Sequence, residues 1–242
     1  MIKIITIITK FILVTLTALL FASCTQNSIK GSGNVTIENR RIEENFKSVE
    51  VSNAIDLVIE QADNTAISIE ADDNLQKHIT TKVENGVLIV ACDYNSFFNI
   101  ESKKVIVKMP IIEELSASSA ATISSSNTLK SENISIRTSS AAMINIKLKS
   151  NNIRCKSSSG SSITLEGLAL NLEATSSSGS TINADSLLVN DITAKSSSGS
   201  TISVHPIVSL NAKASSGSNI SYENQPKTIR KLVHSGGSVD KQ

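Results

Sequence analysis

Ser176-Ser177-Ser178-Gly179-Ser180-Thr181-Ile182 is written several times along this chain of 242 residues. It recurs as Ser157-Ser158-Ser159-Gly160-Ser161-Ser162-Ile163, as Ser196-Ser197-Ser198-Gly199-Ser200-Thr201-Ile202, and as Ser215-Ser216-Gly217-Ser218-Asn219-Ile220. Looser copies stand upstream, at Ser118-Ser119-Ala120-Ala121-Thr122-Ile123 and Ser139-Ser140-Ala141-Ala142-Met143-Ile144, and downstream, at Ser235-Gly236-Gly237-Ser238-Val239. Anchored on Gly or Ala, the copies fall at 120, 141, 160, 179, 199, 217 and 236, spaced by 21, 19, 19, 20, 18 and 19 residues. A fixed period near 19 marks a solenoid, in which each repeat is one coil that buries its apolar side only when neighbours stack on it.

Alternation along a strand decides what faces inward. One parity holds Leu168, Leu170, Leu172, Ala174, Ser176, Ser178, Ser180 and Ile182, and the next coil matches with Ile192, Ala194, Ser196, Ser198, Ser200 and Ile202. The Leu and Ile ends assign this parity to the interior, so Ser178 and Ser198 are expected inside. The other parity gives two outward columns, Ser158, Ser177, Ser197 and Ser215, then Ser162, Thr181, Thr201 and Asn219. An unbroken strand of about thirteen residues would run about 43 Å, too long for one coil, so the segment must bend. The Gly is the expected corner, because it tolerates backbone angles that other residues resist. Return turns are expected near Glu166-Gly167, Asp185-Ser186 and His205-Pro206. The predicted fold is all-β: a flattened parallel β-solenoid, or β-helix, of about seven coils. Stacked serines can hydrogen-bond along the ladder, which makes a serine interior tolerable. N-terminal β-strands cap one end, and the tail from Pro226 to Val239 closes the other.

Ahead of the repeats the chain divides into 1–23, 24–34 and 35–110, with 111–242 forming the solenoid and its C-terminal cap. Lys3 and Lys10 precede the apolar run from Phe11 to Ala22, which is too short to span a bilayer and fits a secretory signal. The run ends at Ala22-Ser23-Cys24, which resembles the bacterial lipobox, so Cys24 is the expected lipidation site and the N-terminal lipid the expected tie to a membrane. Residues 24–34, polar and ending in Gly31-Ser32-Gly33-Asn34, read as a flexible tether. From 35 to 110 the period is two, through Val49 and Val51, Ile55, Leu57 and Ile59, Ile67 and Ile69, Val87 and Ile89, then Val105, Val107 and Met109. Asn85-Gly86 signals a turn. Asp72 to Ile79 suits one helical turn with Asp72 or Asp73 as its cap. Cys92 and Cys155 read as small buried apolar residues.

The order of these features resembles the head GIN domain family of auto-transporter adhesin heads, over about Gly31 to Val239. The resemblance rests on Gly31-Ser32-Gly33, on Arg41 to Phe46 leading into Val49-Glu50-Val51-Ser52-Asn53-Ala54-Ile55-Asp56-Leu57, and on Glu70-Ala71-Asp72-Asp73-Asn74-Leu75. Asn85-Gly86-Val87-Leu88-Ile89-Val90, the Ser-Gly-Ser repeats, Pro226 and the terminal Ser235-Gly236-Gly237-Ser238-Val239 complete it. One departure is Ser52-Asn53-Ala54, where the family more often has Gly; it bears on a local turn. The resemblance implies a β-solenoid, secretion, a lipid anchor in a Gram-negative envelope, and no catalytic residues.

The composition excludes some functions and leaves others. A net charge of +1 gives no steering field for nucleic acid, and 3% aromatic residues with no Trp leave little for base stacking. His78, His205 and His234 are scattered without metal-ligand spacing, Gly-x-Ser-x-Gly is absent, and the corners hold no Asp for calcium. No catalytic residue, metal or cofactor is expected. A polysaccharide-cleaving β-helix needs carboxylates beside its cations, whereas Lys156, Lys195 and Lys213 have hardly any. The expected protein is therefore a non-catalytic envelope lipoprotein of the outer membrane. It would bind a glycan or envelope polymer through the two outward columns. A purely structural envelope protein is the alternative reading, and a polysaccharide-active β-helix enzyme a further one. Asp185-Ser186-Leu187 resembles an O-glycosylation acceptor, which makes Ser186 a candidate modification site.

Overall fold

The computed structural model describes residues 6, 8–15 and 28–242. Residues 8–15 are helical, and no helix among the described residues is long and apolar enough to cross a membrane. Cys24 and the cleavage region lie outside the described residues.

The repeats form a parallel β-solenoid of about seven turns with a period near 19. Met143–Ser157, Ser162–Ser176, Thr181–Ser196 and Thr201–Ala214 stack in parallel and largely in register. Ile163 lies over Ile144, Ile182 over Ile163, and Ile202 over Ile182, so like side chains fill one continuous apolar column. Ile144, Ile163, Ile182, Ile202 and Ile220 are all fully buried, as are Ala174, Ala194 and Ala212 on the facing leg. Each buried Ile contributes roughly 1.5–3 kcal/mol of transfer free energy.

One corner of each coil is a two-residue turn rather than a single Gly. Ser178 has φ +55° and Gly179 φ +67°, with the N–H of Ser180 bonded to the carbonyl of Ser177 at 3.3 Å. Two successive positive φ values are the signature of a type I′ turn. This turn puts its central residues outside. Ser178 and Ser198, expected inside, are exposed; their neighbours Ser176, Ser180, Ser196 and Ser200 are buried. A second correction concerns Leu168 and Leu170, which are 47% and 48% exposed. Alternation resets where two neighbours face out together, at Asn151-Asn152, Leu170-Asn171 and Asn190-Asp191. Those pairs are the return corners. Gly167 instead stays in the ladder opposite Leu148 and Leu187, and Asp185-Ser186 sits within a register shift between adjacent coils. Pro206 is likewise in the ladder, buried opposite Val189.

The sheet continues through Pro110. Ser48–Val51 and Asp56–Gln61 pair in parallel with Glu114–Ala117 and Thr122–Ser125, so they form one more rung of the stack. Its corner is Asn53-Ala54, with φ +58° and +53°. The turn is kept although neither residue is Gly. Val87–Cys92 and Lys103–Met109 form a further parallel rung. Antiparallel strands Val35–Arg40, Ala66–Asp72 and Ile79–Glu84 then cover this end. The tail adds a rung at the other end, where Thr228–Val233 and Ser238–Lys241 pair with one neighbour each. There Lys231 takes the inward place that Ala212 holds one coil earlier. Its Nζ donates to the carbonyl of Val239 at 2.8 Å and lies 4.8 Å from the ring centre of Tyr222. An inward charge at an open sheet end opposes pairing with another chain.

Two further expectations fail. Residues 28–34 are docked rather than tethered: Ser28–Lys30 pairs with Ser96–Phe98, and the N–H of Gly33 donates to Asp72 Oδ2 at 2.8 Å. Asp72 caps no helix. The short 3₁₀ turn Gln76–His78 starts at Leu75 without a side-chain cap. Asp72 is instead fully buried and also accepts the N–H groups of Glu101 and Ser102 at 3.0 and 2.9 Å. Burial pushes its carboxyl up, but the N–H bonds of Ser102, Gly33 and Glu101 outweigh that and hold it below the usual carboxylate range.

Candidate functional site

The corner motif places its serines in two environments. Inside, every hydroxyl is bonded. Ser180 Oγ lies 2.8 Å from Ser176 Oγ, 2.7 Å from the carbonyls of both Ser177 and Ser157, and accepts the Ser177 N–H at 3.2 Å. The next coil repeats this with Ser196 and Ser200. The network pins each turn to its own coil and to the coil before it.

The corner peptides themselves form a column. Ala54 N–H donates to the Ser119 carbonyl, Ala120 to Ser140, Ala141 to Ser159, Gly160 to Ser178, Gly179 to Ser198, Gly199 to Ser216 and Gly217 to Ser235, all at 2.9–3.1 Å. These bonds share one direction, so the carbonyl of Asn53 is left over at the N-terminal end. Lys103 Nζ meets it at 2.9 Å while lying over the Phe97 ring. Burial lowers the pKa of this ammonium to about 8. Sequence reading missed Lys103; its shared parity with Val105 and Val107 is the signal that places it inward.

Outside, the hydroxyls are unspent. Ser162, Thr181, Thr201 and Asn219 are in-register partners on consecutive rungs, in a column that runs on to Ser238. Ser158, Ser177, Ser197 and Ser215 occupy the matching place just before each turn, stacked by the bonds of Ser177 to Ser157, Ser197 to Ser176 and Ser215 to Ser196. Among the described residues, no hydrogen bond joins the Oγ of Ser158, Ser177, Ser197 or Ser215, or the Oγ1 of Thr181 or Thr201, to the protein. Asn219 is the exception, since its Oδ1 accepts Ser238 Oγ at 2.5 Å. The two expected columns thus flank one edge of the prism and face solvent.

A second surface was not anticipated. Asn133, Asn152 and Asn171 stack at the return corner, each amide donating to the one before it at 2.8 Å. They and their neighbours line a broad open groove of about 1150 Å³, walled at one end by Gln61, Pro110 and Ile111. Their 19-residue spacing was legible in the sequence.

The remaining candidates stay apart. Ser186 is exposed on its bulge. Its neighbour Asp185 has a carboxyl held up by burial first and the charge of Glu223 second. Cys92 and Cys155 are both buried and free, and burial pushes both thiols up. No three His, Cys, Asp or Glu side chains among the described residues cluster as a metal site. His78 packs against Tyr94, His205 faces the carbonyl of Asp185, and His234 is exposed on the tail.

Comparisons with known proteins agree with this geometry. A structure from Bacteroides fragilis, described as a putative adhesin, superposes with a TM-score of 0.79 at 20% identity, over 88% of this chain and 98% of that one. A second putative adhesin, from Parabacteroides merdae, gives 0.71 at 20% identity, over 90% and 100%. A structure from Parabacteroides distasonis described as a putative lipid binding protein gives 0.73 at 19%, over 89% and 99%. At these identities the likeness establishes the fold alone. No curated protein matches the chain. The family described as "Putative auto-transporter adhesin, head GIN domain" matches residues 45–226, and the chain belongs to that family.

Proposed function

We propose that this protein is a non-catalytic, adhesin-type module of the cell envelope. It is held to a membrane through a lipid on Cys24 and binds an extended polymer, such as a glycan, along its stacked coils. The observation that carries this reading is the pair of outward columns flanking the Ser-Gly edge, whose serine and threonine hydroxyls have no partner within the described residues while every inward serine of the same motif is bonded. Rungs about 4.8 Å apart repeat the same hydroxyl on a rigid backbone, which suits a ligand that is itself repetitive. Each hydrogen bond contributes only about 0.5–1.5 kcal/mol, so strength must come from many aligned contacts. Family membership supports the adhesin reading.

The test replaces Thr181, Thr201 and Asn219 together by Glu, and compares adherence of expressing cells to glycan and matrix surfaces. Strongly reduced adherence with an unchanged melt supports the face. Equal adherence, with both proteins folded and anchored, removes it. The anchor is tested separately. Cys24→Ser is expected to abolish fatty-acid labelling and partition into detergent, and a variant that is still labelled refutes the anchor.

A further inference from the structure

We infer that the polymer is acidic, and that the leg of the coil preceding the Ser-Gly turn holds it through a ladder of unpaired cations. This inference rests on the binding reading above. Arg137, Lys156, Thr175, Lys195 and Lys213 are in-register partners on five consecutive rungs, two residues ahead of the Ser158, Ser177, Ser197 and Ser215 column. Arg137 pairs with Glu114 at 3.2 Å. Lys156, Lys195 and Lys213 are exposed and have no ion pair or hydrogen-bond partner among the described residues.

Several cations on other faces are paired. Lys47, Lys82, Lys104, Lys108 and Lys147 each reach a glutamate at 2.7–3.1 Å. Arg154, on the column beside the lysines, is paired with Glu173 at 3.1 Å. Lys195 and Lys213 instead lie directly opposite each other on adjacent rungs, where like charges repel. Among the described residues, no carboxylate forms an ion pair with either lysine. A polymer carrying a negative group on each repeating unit would offset the repulsion and would also meet Lys156, while its hydroxyls meet the adjacent serine column. The leg carries no aromatic side chain, so bases have nothing to stack on. Outward apolar residues on it are confined to the end rungs, Val87 and Ile89 on the first and Leu232 on the last, so its middle does not suit insertion into a lipid surface.

The experiment measures binding of the lipid-free protein to immobilised polygalacturonate, dextran sulfate and neutral dextran. Duplex DNA and phosphatidylglycerol vesicles serve as further arms, each at two salt concentrations. The variants are Lys156→Gln/Lys195→Gln/Lys213→Gln, the same positions as Arg, and a control of equal charge loss, Lys47→Gln/Lys82→Gln/Lys108→Gln. Thermal melts confirm folding. The expected result is binding to the acidic polysaccharides that weakens with salt. The Gln triple should lose at least about tenfold, while the Arg triple and the control stay within about twofold. If the wild type holds neutral dextran as well as polygalacturonate and the Gln triple changes nothing, the acidic ladder falls and the polymer-binding reading stands. Tighter binding to DNA or vesicles than to either acidic polysaccharide overturns the ligand class. Retention of no polymer at all overturns both readings.

Discussion

Replacing Ser180 tests the two-environment reading of the corner. Ser180 is 1% exposed and its hydroxyl has four polar neighbours. Ser180→Ala removes those bonds without stranding a partner. The Ser177 N–H keeps the Ser157 carbonyl at 3.1 Å, and Ser176 Oγ keeps the Ser180 carbonyl at 3.0 Å. Ala121 and Ala142 already occupy the equivalent place in earlier coils and are fully buried. The cost is therefore one or two net hydrogen bonds, about 1–2 kcal/mol. Ser180→Leu loses the same bonds and also forces three more carbons into a filled coil, adding about 1–3 kcal/mol. Ser178→Leu, two residues away, extends into solvent from a backbone that is already non-Gly at φ +55°, and should cost under about 1 kcal/mol. Thermal melts followed by circular dichroism separate these, at about 2–4 °C per kcal/mol for a chain of this size. Ser176→Ala combined with Ser180→Ala should cost less than the two singles summed, because they share one bond. If Ser178→Leu melts as low as Ser180→Leu, the inside and outside of the corner are wrongly assigned.

Three further outcomes follow from particular contacts. Gly179→Ala meets open space and only left-handed strain, so about 1 kcal/mol is expected, whereas at Gly167, with φ +125°, a Cβ would collide with the Leu148 carbonyl and Gly167→Ala should cost clearly more in a urea melt. Lys103 titrates near 8 when folded against about 10.5 unfolded, so between those pH values the unfolded chain binds more protons and stability rises with pH, by up to roughly 3 kcal/mol. Urea unfolding at pH 7.5 and pH 10 should show that rise in the wild type and not in Lys103→Met. Lys231→Val removes the inward charge at the open rung and should raise self-association in light scattering, while Lys227→Val, on an exposed loop residue, should not.

The solenoid was legible because a 19-residue period and an alternating apolar pattern are properties of neighbouring letters. The errors arose where that alternation is interrupted. Ser176 and Ser180 share parity and are both inside, but the I′ turn between them throws Ser178 outward, and parity alone cannot register a reversal of the chain. Leu168 and Leu170 were misplaced for the same reason, since Leu170 and Asn171 face out together. In the two outward columns Thr181 is exposed and the other residues are half-buried beside the turn. Asp72 and Lys103 were opaque for a different reason. The Asp72 partners Gly33, Glu101 and Ser102, and the Lys103 partner Asn53, are 29 to 50 residues distant, so no local pattern announces them. The unpaired lysines were visible as letters, but their isolation from carboxylates became a measurable fact only once the rungs were stacked.

Dependence of affinity on ligand length tests the central claim most directly. Oligosaccharides of increasing length, cut from whichever polymer the protein retains, would be titrated by calorimetry, and their mass checked afterwards. A ladder of weak, equally spaced contacts predicts no measurable binding by a monosaccharide. Affinity should then climb steadily until the ligand spans the four rungs from Ser162 to Asn219, about 15 Å, with every chain recovered intact. A monosaccharide or disaccharide that binds as tightly as the longest chain, or chains recovered shorter than they were added, would contradict the account.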